Sequence, residues 1–117
     1  MLLFFVACEE SESQKIRKLR LPDIDLSEME DGSYIGRFTH HNNIYETEVL
    51  IKNHRIGDIQ VLQSEGDKYD KEALDVIQRV IEKQSLQIDV VTGATKSSKL
   101  YLITIYNAIS DEDIKIH

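Results

Sequence analysis

The sequence predicts a small α+β domain in which an antiparallel meander of three or more strands packs with two helices. Three observations carry that expectation: period-two alternation between Ser33 and Leu62, helical spacing after Gly66, and a strand-to-helix turn at Thr92–Thr95. Asp31-Gly32 marks the opening turn, after which Tyr34, Gly36 and Phe38 alternate with Ile35 and Arg37. Beyond His40-His41-Asn42-Asn43, Tyr45, Thr47, Val49 and Ile51 alternate with Glu46 and Glu48, giving a second, antiparallel strand. Asn53-His54 can take the positive φ angles of a tight hairpin. The third strand, Arg55 to Leu62, then sets Ile59 and Val61 on one face. From about Asp70 to Gln84, Ala73, Ile77, Val80, Ile81 and Gln84 share one helical face. Leu86 to Val91 reads as a short extended segment. The second helix, to about Ile109, has Thr95 as its N-cap and Leu100, Ile103, Ala108 and Ile109 to pack on the sheet, although Thr104 and Ile105 are β-branched.

With 117 residues, 41% hydrophobic and 30% charged, one proline and five glycines, the chain is one folded domain, not a repeat array or a disordered segment. One modest core leaves little room for a deep all-protein active site, so demanding chemistry would need a cofactor. Fourteen Lys and Arg against 21 Asp and Glu give a net charge of −7, which opposes nucleic acid as a partner. The patterns GxxxxGK[ST] and GxGxxG are absent, so triphosphate and dinucleotide folds have no support.

Met1 to Ala7 is apolar, too short to span a bilayer, and stops at Cys8, the single cysteine. Phe5-Val6-Ala7-Cys8 resembles a bacterial lipobox, which implies cleavage before Cys8, lipid attachment to it, and an extracytoplasmic, membrane-anchored lipoprotein. No basic residue precedes the short apolar run, which a start codon placed too far downstream would explain. The other reading is an apolar first strand with a buried cysteine. Residues 9–30 read as a tether: 9–22 has no strong periodicity and carries Lys15, Arg17, Lys18 and Arg20, which suits either a charged membrane surface or a plain solvated linker. Residues 31–110 form the domain, and 111–117 a C-terminal tail.

The chemistry-bearing segment is Asp89-Val90-Val91-Thr92-Gly93-Ala94-Thr95-Lys96-Ser97-Ser98. Gly93 and Ala94 leave backbone uncovered beside a hydroxyl, and the free amides of the following helix would stabilise a phosphate attached there. The same residues also make an ordinary capped turn, and Asp89 is equally a turn former.

This segment resembles the flavinylation motif of the FMN-binding domain family, found in flavin subunits of the sodium-pumping quinone reductase, ferredoxin-oxidising complexes and small extracytoplasmic flavoproteins. The family pattern is Asp-x-x-[Ser/Thr]-Gly-Ala-[Ser/Thr], often followed by x-[Ser/Thr]-Ser, and Asp89 through Ser98 matches it throughout. Asp31-Gly32-Ser33-Tyr34-Ile35-Gly36 resembles the family's opening Asp-Gly-x-Tyr-x-Gly. Asn53-His54-Arg55-Ile56 stands where its hairpin Asp-Gly-Lys-Ile usually falls, with His54 in place of glycine. The resemblance implies FMN held by a phosphoester on Thr95, with Asp89, Thr92, Gly93, Ala94, Ser97 and Ser98 as the surrounding cofactor-binding residues. It also implies a magnesium-dependent flavin transferase as maturation partner, and a membrane electron donor or other redox protein as exchange partner. The expected role is a redox carrier more than a substrate-specific enzyme; the alternatives are noncovalent FMN binding or a cofactor-free interaction module of a surface lipoprotein.

Other candidates are fewer. His40-His41 suggests a metal pair, but neighbours on a strand face opposite ways and no third ligand is evident, so the expectation is a solvated hairpin tip and no metal. Tyr34, Tyr45, Tyr69, Tyr101 and Tyr106 could each stack on a flavin ring or simply pack. No nucleophile–base or paired-carboxylate arrangement has a motif-like spacing.

Overall fold

In a computed structural model, residues 11–64, 71–88, 95–110 and 114 are described. The elements in chain order are α1 (Glu12–Lys18), β1 (Gly32–His40), β2 (Asn43–Lys52), β3 (Arg55–Gln63), α2 (Lys71–Lys83) and α3 (Thr95–Ile109). The three strands form an antiparallel meander in the order β1-β2-β3, giving the expected α+β class with one helix more than expected. One face of the sheet is covered by α3, which crosses β1 and β2, while α2 packs on β3 and α3 and α1 packs on α3.

The strands follow the alternation. Phe38 and His40 of β1 and Tyr45, Thr47, Val49 and Ile51 of β2 turn inward and are buried. On β3 both Ile56 and Ile59 are buried, although three residues apart on a regular strand they would face opposite ways. The pairing shifts between Leu50↔Asp58 and Ile51↔Ile56, so Gly57 is left over as a bulge and both isoleucines reach the core. Both hairpins turn through consecutive left-handed residues, His41 and Asn42 at φ 51° and 66° and Asn53 and His54 at 52° and 61°, the primed-turn geometry that matches strand twist. The Asp31 carboxylate accepts from the Asn53 amide at 2.8 Å and so ties the second turn to the start of β1.

The face of α2 is shifted from the expected one. Val76, Ile77 and Val80 are buried and Ile81 is half-buried; Val76 was not among the expected residues, and the side chain of Ala73 lies outside the described residues. Gln84, beyond the last turn at φ 55°, uses its polar group rather than packing as a face residue. Its amide nitrogen donates to the carbonyls of Ile81 and Ile56, and its oxygen accepts from the Ile56 amide at 2.7 Å, so one side chain closes α2 and fastens it to β3. Leu86 is buried in a bend and no strand forms through Ile88; the rest of the expected extended segment lies outside the described residues.

The helix α3 is buried almost all round, from Ser98 and Leu100 to Asn107 and Ala108, because the sheet lies on one side and α1 and α2 on the other. Two of its buried polar residues are matched: Thr104 donates to the Tyr101 carbonyl at 2.7 Å and accepts from Thr47 at 3.1 Å, and Asn107 donates to the Arg37 carbonyl. That i to i−3 bond explains how a β-branched threonine sits mid-helix.

Residues 9–30, read as a tether, contain α1. Ser11 accepts from the Gln14 amide while the Gln14 side chain accepts from that of Ser11, a reciprocal capping box that lets seven residues start a helix. Its Ile16 is fully buried and Leu21 nearly so. The solvated hairpin tip is also corrected: His40 is 1% exposed, and its Nδ1 lies 2.7 Å from Glu12 Oε1. That hydrogen bond holds the Glu12 carboxyl below its ordinary range.

Two consequences are measurable. A methyl group on Gly36 would lie 1.8 Å from the Thr104 carbonyl oxygen and 2.5 Å from the Ala108 nitrogen. Gly36→Ala therefore forces α3 off the sheet and should lower unfolding free energy by about 2–3 kcal/mol in urea denaturation; an unchanged midpoint would refute this contact. Ile16→Ala should cost roughly 2–5 kcal/mol in the same assay, whereas a loose tether would leave stability untouched.

Candidate functional site

The motif residues Thr95, Ser97 and Ser98 fall in the first turn of α3. Asp89, Thr92, Gly93 and Ala94 lie outside the described residues; Thr95 is already the first residue of α3, one position inside the expected cap. Ser97 is exposed, and Ser98 is fully buried with its Oγ unpartnered among the described residues. A buried hydroxyl one turn from Thr95, with no partner among the described residues, is a ready donor or acceptor for a bound group.

The order of contacts shows which end of the sheet this turn occupies. Gly36 faces Thr104 and Ala108, whereas Tyr45, paired with Phe38, meets Tyr101 edge-on at 6.5 Å. Passing along β1 from Gly36 to His40 thus runs along α3 from Ala108 back toward Thr95. The hairpin turn at His41-Asn42 and the start of α3 share one end of the sheet.

A cleft of about 780 Å³ lies between the end of α1, Leu86–Ile88 and α3, lined by Arg17, Lys18, Arg20 and Lys99 with Leu21, Leu86, Ile88 and Leu102, and by no acidic side chain among the described residues. Lys99 and Leu102 stand at i+4 and i+7 from Thr95 along α3, and the side chain of Thr95 itself lies outside the described residues. The first turn of α3 carries no acid, and Lys96 and Lys99 sit near its positive dipole end, an arrangement that an anion would relieve. The Lys99 Nζ donates to the Leu19 carbonyl, anchoring the basic segment to α3. Burial first, and the nearby Arg20 second, push the Lys99 ammonium below its ordinary pKa.

A second cavity, about 500 Å³, lies at the other end of α3 between Tyr34, Tyr106, Ile109 and the acidic Asp23, Asp25, Glu28 and Glu30. Its charge is wrong for a phosphate. Of the five tyrosines, Tyr45 and Tyr101 are core residues packed on each other, Tyr34 donates to the Glu30 carbonyl, Tyr106 borders the acidic cavity, and Tyr69 lies outside the described residues.

The model of the FMN-binding domain matches residues 41–110, from the first hairpin turn through α3. The chain belongs to the FMN-binding domain family. No curated protein matches it. The residues present fit FMN: the cleft joins cations for a phosphate to leucine and isoleucine for a ring, and the Ser98 hydroxyl has no other partner among the described residues. The motif pointed to Thr95, Ser97 and Ser98 but not to Arg17, Arg20 and Lys99. For Lys99 the i+4 spacing was the available signal; the arginines were visible only as a basic run.

The Lys99 ammonium should titrate below 10.5, its ordinary value, in an Nζ-detected NMR titration. While charged it opposes folding, and that opposition fades as pH rises from its folded pKa through 10.5. Arg20→Ala, or inorganic phosphate in the cleft, should move the midpoint back up; a midpoint insensitive to both would mean that the cleft does not act as one electrostatic unit.

Proposed function

We propose that this chain is an electron-transfer flavoprotein domain that carries FMN covalently through a phosphoester on Thr95, with the flavin seated along the basic cleft. The single observation behind it is that Lys99 and Leu102, at i+4 and i+7 from Thr95 along α3, line a cleft walled by Arg17, Lys18 and Arg20. In attachment, the Thr95 hydroxyl would displace AMP from FAD on a flavin transferase, forming the phosphoester and releasing one proton. Bound FMN supplies one- and two-electron chemistry. Arg17, Arg20 and Lys99 would neutralise the phosphate and favour added negative charge, while Leu21, Leu86 and Leu102 would keep water from one side of the ring.

The lipobox reading makes the protein an extracytoplasmic lipoprotein anchored through Cys8, which lies outside the described residues. A covalent cofactor suits that setting, since a dissociated flavin would not be replaced outside the cytoplasm. Its redox partners would then be a membrane electron donor or another surface redox protein. The cleft also supports a second reading, in which FMN is held by charge and packing without a bond.

Intact-mass and peptide mass spectrometry on protein co-expressed with an active flavin transferase separates the two. An FMN adduct on the Thr95 peptide, absent in Thr95→Ala, is the expected result. Flavin that survives in Thr95→Ala and is released by denaturation would replace it with noncovalent binding, and no flavin in either protein would leave a cofactor-free module. Alanine is a good helix former, so this variant should retain the far-UV circular dichroism of the parent.

A further inference from the structure

Outside the flavin cleft, one cluster gathers metal-binding chemistry from two distant parts of the chain. Glu12 comes from the first turn of α1, and His40 and His41 from the end of β1 and the turn that follows. One ligand atom from each residue lies within 4.8 Å of the others. Adjacent strand residues normally point apart, but His41 is left-handed at φ 51°, which brings its ring to 4.0 Å from that of His40, centroid to centroid. His40 is 1% exposed, and Glu12, at 34%, and His41 close the outer side.

We infer that Glu12, His40 and His41 form a binding site for a divalent transition cation of the zinc class, with a further coordination position open to water. Two imidazoles and one carboxylate favour zinc and its neighbours over magnesium or calcium, which prefer all-oxygen shells. His40 and Glu12 already meet at 2.7 Å through one hydrogen, and a cation entering there takes that hydrogen's place on Nδ1, leaving the neutral ring with its proton on Nε2. Bonds of about 2.1 Å need the three ligand atoms closer than their present spread, and the exposed His41 ring is the part that can swing inward. Lys15, on the next turn of α1, is near enough to act on the Glu12 carboxyl and weakens the site without blocking it. Occupancy would bridge α1 to the β1–β2 hairpin, adding to the Glu12–His40 hydrogen bond that already joins them.

The inference does not rest on the flavin, and its test needs none. The full-length chain is titrated with zinc chloride against a competing chelator, with the histidine ring signals followed by NMR. One zinc per chain is expected, shifting His40 and His41 but not His54. Since loss of a mere supporting contact costs 10–100-fold in metal affinity, loss of a ligand in His41→Asn should weaken binding by at least about tenfold. Asparagine tolerates the left-handed turn, so this variant keeps the fold. Glu12→Gln should weaken binding similarly, and His54→Ala should not. Wild-type binding no tighter than that of His41→Asn, or a zinc that shifts His54 or neither His40 nor His41, would overturn the site and leave Glu12–His40 as a hydrogen-bonded pair alone.

Discussion

The close crossing of α3 over β1 at Gly36 is the contact on which the rest of the structure depends. Where a side chain would stand, the backbone of Thr104 and Ala108 rests directly on the strand. This brings Thr104 within hydrogen-bonding distance of Thr47 and Asn107 within reach of the Arg37 carbonyl, so the polar groups buried by the approach are satisfied by it. The glycine of the opening Asp-Gly-x-Tyr-x-Gly stretch is thus a packing requirement. With α3 held there, its first turn emerges at the hairpin end of the sheet, where Thr95, the basic cleft and the histidine pair gather.

Electrostatics at that end are built from sequence-remote parts. A chain with net charge −7 nevertheless concentrates Arg17, Lys18, Arg20 and Lys99 around one cleft, while the acidic stretch Asp23–Glu30 is folded to the opposite end of α3. An anion is steered to one end of the helix and repelled from the other, a separation that the overall acidity conceals.

The sheet was legible because each strand keeps one face in the core: Tyr45, Thr47, Val49 and Ile51 alternate without interruption, and Asn53-His54 suits a primed turn. Ile56 was less so, since its burial depends on the Gly57 bulge. Helix α1 was hidden because seven residues with one fully buried side chain leave no period to detect; the Ser11–Gln14 capping pair was its only local mark. The burial of His40 was missed for a related reason. The rule that strand neighbours diverge fails where the second residue turns left-handed, and Glu12 could not be paired with them while its helix was unseen. At the attachment site the motif residues were legible as a string, but the cations facing them arrive through tertiary packing.

The span matched by the family begins at His41, yet α1, β1 and three of the cleft's four cations precede it. The heritable signature and the working unit therefore have different boundaries. A graft of the matched segment into another protein would transplant Thr95 and α3 while leaving behind most of the basic wall and the strand that seats the helix, so the transplanted helix would lack the glycine it rests on.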